Sequence, residues 1–201
     1  MYNDIIDSIS TDQIFEGIEQ VNNDFRKLNN DTIDIISPFT SIASDCKIEL
    51  RLAKKDPFGN ACEGINYIPT DSSGFVVGWN VQYDSTGGKS AWPTDKYLNI
   101  WVVEMFSGIT GGGRGTLPDT IFLERQGIVI TNNMIGSIGT GLGRRVFTHE
   151  LGHFLNLYHL WGKLGIPGDT TNCNKDDEVA DTPNCFGSSY YYGTPSGLWA
   201  E

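Results

Sequence analysis

An α+β domain, a mixed sheet packed on two helices, is what this chain of 201 residues predicts. Three observations carry that expectation. A helix-period apolar stripe runs over Thr11–Leu28. Short apolar runs bounded by turn residues follow between Lys47 and Thr131. A second helix then leads into an eleven-residue segment that holds every histidine of the chain.

The first helix rests on Ile14, Ile18, Val21, Phe25 and Leu28, which recur at four- and three-residue steps. Ser10 with Gln13 three positions later forms a capping-box signature at its start. Lys47–Ala53 alternates, with Ile48, Leu50 and Leu52 on one face, and reads as a strand. Asp56-Pro57-Phe58-Gly59-Asn60 has the composition of a tight turn, and Ile65–Ile68 reads as a short strand after it. Tyr97–Phe106, with Leu98, Ile100, Trp101, Val102 and Val103, is the most apolar stretch and predicts a strand covered on both faces. The glycine-rich run Ser107–Gly115 has no phosphate-loop spacing and reads as a flexible rim. Gly127–Thr131 is a further strand. Arg144–Leu155 is the second helix, and from Gly162 onward the chain turns loop-like.

The chain is long enough for one domain with a substantial core. Its formal net charge of −11 argues against nucleic acid or an anionic membrane as partner. No run of eighteen apolar residues is present, so no membrane-spanning helix is expected. Four cysteines, Cys46, Cys62, Cys173 and Cys185, show no C-x-x-C spacing. Their even number favours disulfides in an exported protein, with free buried thiols as the alternative.

The histidines form His149-Glu150-Leu151-Gly152-His153 with His159 six residues on. On a helix, positions four apart lie about 40° apart around the axis and about 6 Å apart along it. His149 and His153 therefore project from one face and can share an ion. Glu150, about 100° round, stands beside the metal, within reach of a water held there. His159 cannot join from an unbroken helix, so the chain must double back after His153. Asn156 stands where a left-handed residue would turn it, and asparagine is one of the few side chains that tolerate positive φ. Three imidazoles plus a glutamate are the sequence form of a zinc site that activates water. Glu178 as third ligand is a weaker alternative, because it lies in a loop and leaves His159 unexplained.

Together with Asn23–Asn29, Ile48–Ala53, Ala91–Val102, His159–Gly162 and Asp177–Asn184, this motif resembles the metzincins. More narrowly, it resembles the pappalysin family of zinc metalloproteases in its bacterial cytophagalysin-like branch. The resemblance implies a metzincin-like catalytic domain over residues 1–201: a twisted mixed sheet and two long helices over 1–155, and a loop-rich partial lower subdomain over 156–201. It implies a secreted endopeptidase acting on protein or peptide substrates, with Zn²⁺ on His149, His153 and His159 and Glu150 as general base. It also implies Ca²⁺ near Asp176–Thr182, with Asp176, Asp177, Asp181 and Thr182 as candidate ligands. A plain solvated acidic loop is the other reading of that run. Cys173 and Cys185 would, on the same resemblance, pair with cysteines elsewhere in a longer chain.

Metzincins carry a methionine turn, and this family a tyrosine, downstream of the third histidine. The methionines here are Met1, Met105 and Met134, and none follows His159. The expectation is a fragment lacking both its leader and that turn. The alternative function is then a zinc-binding but catalytically silent interaction module.

Overall fold

The computed structural model describes residues 9–37, 39–71, 75, 80–104, 112–136, 145–163, 165 and 167–187. Two compact units divide after Phe154.

In the first unit, helix α1 spans Thr11–Phe25. The Ser10 hydroxyl accepts from the Gln13 amide at 3.1 Å, which satisfies one orphan donor of the first turn. The reciprocal half of the box does not form. Gln13 is buried, and its side-chain amide instead donates to the carbonyls of Asn132 at 2.7 Å and Ile135 at 3.0 Å. Val21 is buried in the core, and Ile14, Ile18 and Phe25 pack against it. The helix stops at Phe25 because Lys27 takes a left-handed φ of 54°, which leaves Leu28 exposed rather than on the stripe.

The sheet has the order β1-β3-β2. Strand β1 (Ile100–Val103) runs parallel to β3 (Ile128–Thr131), and β2 (Gly113–Gly115) runs antiparallel to β3. Every residue of β3 is buried, as the central strand of a sheet covered on both faces requires. Ile128 and Ile130 join α1, Phe147 and Leu151 on one face. Val129 joins Trp101, Val103, Phe75 and Val81 on the other. The reading of β1 as packed on both faces holds over Ile100–Val103; Met105 and Phe106 lie outside the described residues.

Three expectations need correction. Lys47–Ala53 joins no ladder among the described residues. Its alternation is real, with Ile48, Leu50 and Leu52 half-buried between exposed neighbours at Lys47, Glu49 and Arg51. However, the Leu50 backbone is satisfied by the Asn22 side-chain amide, which accepts at 2.7 Å and donates at 3.0 Å. Ile65–Ile68 likewise forms no strand among the described residues. In the glycine-rich run, residues 107–111 lie outside the described residues, but Gly113–Gly115 is a strand and not a rim. The Asp56–Asn60 turn is as expected: Asp56 Oδ1 accepts from the amides of Phe58 at 2.9 Å and Asn60 at 2.8 Å, and Gly59 has φ 90°.

Helix α2 spans Val146–Phe154; Arg144, the expected first residue, lies outside the described residues. A buried carboxylate ties α2 to α1. Asp24 accepts from the Arg145 guanidinium and from the Thr148 hydroxyl, each at 2.6 Å, with its side chain only 5% exposed. An acidic residue in the last turn of a helix opposes the helix dipole, so it needs such partners. Asp24→Ala is expected to lower stability by about 1.5–3 kcal/mol, the usual worth of hydrogen bonds to a charged group. Urea unfolding of the variant against the parent measures it.

In the second unit, the described residues form turns around one short 3-10 segment, Thr170–Asn174. Asn172 is fully buried. Its amide donates to the Phe186 carbonyl at 3.2 Å and its oxygen accepts from Lys175 at 2.8 Å. All four cysteines are free, so the expected pairing is absent among them. Two of the thiols face carbonyls: Cys62 faces Ala53 and Cys185 faces Leu160, both at 3.5 Å.

Candidate metal centre

Helix α2 presents His149 and His153 one turn apart on one face. Their Nε2 atoms are 3.0 Å apart and their rings meet edge to face, with centroids at 4.5 Å. Two imidazoles bound at 2.0–2.1 Å to one tetrahedral ion have nitrogens about 3.3 Å apart, so the pair is already spaced for sharing a metal. Desolvation holds the His149 imidazole below its usual range, and the neighbouring His153 adds to that shift. Both effects favour the neutral ring, which is the form that ligates.

After Phe154 the chain leaves the helix. Asn156 takes a φ of 74°, the left-handed conformation its side chain tolerates. Across the run His149–His159, one imidazole nitrogen from each of the three histidines lies within 4.8 Å of the others, so the three can hold a metal ion. The donor set is three nitrogen ligands of the kind zinc takes in hydrolytic sites. Among the described residues, Glu178 is not part of such a group.

Glu150 is buried at 6% exposure between α2 and β2. Its Oε2 accepts a short hydrogen bond from the Gly115 amide. Burial pushes the Glu150 carboxyl above the ordinary glutamate range. The Gly115 amide, His153 and Arg114 pull it back only in part. Strand β2 can lie this close only because it lacks side chains on that face. A methyl group on Gly115 would sit 2.0 Å from the Glu150 carbonyl oxygen, and one on Gly113 2.8 Å from Glu150 Cγ. Sequence reasoning missed both glycines as parts of the site. The alternating G-x-G at the end of the run was the available signal, since period two is the strand period.

The calcium expectation is not supported. Asp176 Oδ1 accepts from the Glu178 amide at 2.6 Å and Asp177 Oδ1 from the Val179 amide at 3.0 Å. The Thr182 amide donates to the Val179 carbonyl at 3.1 Å. The acidic oxygens thus serve local turns. Among the described residues, Asp176, Asp177 and Asp181 form no converging ligand group. No helix of the described residues is long and apolar enough to cross a membrane.

The sequence model of the Peptidase M43 family, described as pregnancy-associated plasma protein-A, matches residues 82–194. Comparison with curated proteins gives no match. Among solved structures, the mature mirolysin of Tannerella forsythia in complex with a cleaved peptide is 37% identical. The alignment covers 91% of this chain and 68% of that one, with a TM-score of 0.80. Mirolysin in complex with a compound is 36% identical over the same shares, also at 0.80. A promirolysin mutant of T. forsythia is 36% identical, covering 91% of this chain and 60% of that one at the same TM-score.

Proposed function

The chain belongs to the pappalysin family of metalloendopeptidases, and from that premise we propose that it hydrolyses peptide bonds with zinc held by His149, His153 and His159 and with Glu150 as the base. The observation that carries this reading is the convergence of three imidazole nitrogens within 4.8 Å. The buried carboxylate that follows His149 in the chain supports it. When bound there, zinc supplies Lewis acidity, polarising a peptide carbonyl and lowering the pKa of water toward about 7.

Glu150 supplies the proton handling. Oε2 is anchored by the Gly115 amide. Oε1 lies beside Gly113, where no side chain intrudes, so a proton taken from water is carried at Oε1 and released there to the leaving amine. A carboxyl held above its ordinary range is a stronger base once ionised, which suits it to both transfers.

Substrate would bind along β2. The flanking bonds Thr131 N–H to Gly112 O and Thr116 N–H to Gly127 O set the alternation of the ladder. Arg114 therefore pairs with β3, while Gly113 and Gly115 turn their peptide groups to the other edge, where the Gly115 amide donates to Glu150 and no strand pairs among the described residues. An extended peptide can add there as a further strand. Strand β1 lies on the opposite side of β3 from β2.

The test is zinc content together with cleavage of an unstructured protein such as casein. One zinc per chain and chelator-sensitive cleavage are expected. His159→Ala is expected to weaken zinc by more than the about 10- to 100-fold that losing a supporting partner costs. Unchanged affinity would remove His159 from the ligand set. The same reading places the protein outside the cell, and its recovery in medium rather than in washed cells checks that.

A further inference from the structure

We propose that Trp161 is a positioning residue for the metal centre, its indole face setting the plane of the His159 imidazole. The inference deepens the zinc reading and rests on it.

The two helical ligands take their direction from α2. His159 lies past the end of that helix. It lies past the left-handed Asn156, in a turn closed by the Gly162 amide donating to the His159 carbonyl at 2.8 Å. A histidine outside regular structure has two side-chain torsions to fix before it can ligate. One contact that sets the ring plane is a stack. The His159 and Trp161 rings lie 9° from parallel with centroids 4.5 Å apart, within the range of offset stacking.

The indole is itself held. Its Nε1 donates to the Gly165 carbonyl at 3.1 Å. Gly187, at φ 76°, lies so close that a methyl group there would sit 2.7 Å from Cε3 and 2.9 Å from Cδ2. A methyl group on Gly165 would sit 2.6 Å from Cδ1. Two glycine backbones therefore close on the ring, and the Gly168 amide, donating to the Phe186 carbonyl at 2.8 Å, secures the segment that carries Gly187.

Stacking suits a ligand better than an edge contact would. It occupies a π face and does not cover the directions of the imidazole nitrogens, which lie in the ring plane. An imidazole that gives its lone pair to a cation becomes electron-poor, and the indole face is the negative pole of its quadrupole. The stack therefore strengthens as the metal binds.

Zinc affinity, measured by competition with a chromogenic chelator, tests this on the full chain. Trp161→Leu is expected to loosen zinc by about 10- to 100-fold, the range for a lost supporting partner. Trp161→Phe, which keeps a flat ring, is expected to recover most of that loss. A parent chain that takes up no zinc would overturn the metal reading itself. Parental affinity in Trp161→Leu would overturn only the positioning role. Should the leucine variant not fold, tryptophan emission decides with Trp161→Phe. Zinc is expected to change the emission of the parent and to leave that of the variant unchanged; a full zinc response in the variant would overturn the proposal.

Discussion

Glu150→Gln is expected to lower peptide hydrolysis by about 10²- to 10⁴-fold, the usual worth of a positioned general base, with zinc affinity unchanged. Glutamine preserves shape and can still accept from the Gly115 amide, so loss of activity without loss of metal isolates the proton-transfer role. Cleavage at the parental rate would remove Glu150 from that role. The same variant carries a second, independent signature in the zinc-free protein. Burial holds the native Glu150 carboxyl above its range in the unfolded chain. Between those two values the native state binds more protons than the unfolded state, so stability falls as pH rises through that window. The contribution is fully present below the unfolded-state value and is lost once pH passes the raised native value. Glutamine has no such dependence. Glu150→Gln should therefore melt higher than the parent near neutral pH, and the advantage should vanish below the ordinary glutamate range. Thermal melts of the metal-free proteins across pH measure it, and equal melting temperatures at neutral pH would contradict the burial argument.

The parts of this site that were legible in the sequence are those governed by local chemistry. The i, i+4 spacing of His149 and His153 fixes their common face on any helix. The left-handed tolerance of asparagine made Asn156 a place where the chain could turn back, and it takes φ 74° there. Strand β3 and helix α1 were equally legible, because apolar periodicity reports burial directly. What was not legible depends on partners far away in the chain. Gly113–Gly115 has no side chain on its outer positions and low strand propensity; it is a strand because β3 pairs with it and α2 leaves no room for anything larger. Lys47–Ala53 showed the right faces, but its hydrogen-bond partner is a side chain on α1, which alternation cannot reveal. The acidic run at Asp176–Asp181 has a composition that suits calcium equally well, and only the observed turns show where Asp176 and Asp177 direct their oxygens. Asp24 carried a signal that could have been read, a carboxylate at the unfavourable end of a helix, but its partners Arg145 and Thr148 lie more than a hundred residues away.

Gly115→Ala should be the most damaging single methyl addition in the site. Gly115 does not have positive φ, so alanine brings no backbone strain of its own. The whole effect comes from close approach. The added carbon would lie 2.0 Å from the Glu150 carbonyl oxygen, 2.9 Å from its carbonyl carbon and 3.0 Å from His153 Cβ. The first two are helix backbone and the third is the stem of a proposed ligand, so none can swing aside as the end of a side chain would. Relief requires β2 and α2 to part. That separation breaks the Gly115 amide bond to Glu150 and shifts Glu150 and His153, the proposed base and a proposed metal ligand. Overpacking of this kind costs about 1–3 kcal/mol of stability, and misplacing reacting groups by about 1 Å costs on the order of 10²-fold in rate. Gly113→Ala provides the internal comparison. Its nearest contacts are Glu150 Cγ at 2.8 Å and Val146 Cγ1 at 3.0 Å, both in side chains that can rotate, so its stability loss should be smaller. Urea unfolding, zinc affinity and kcat measured on both variants separate the two cases. Equal and small effects would mean that β2 does not set the distance between the proposed substrate edge and Glu150.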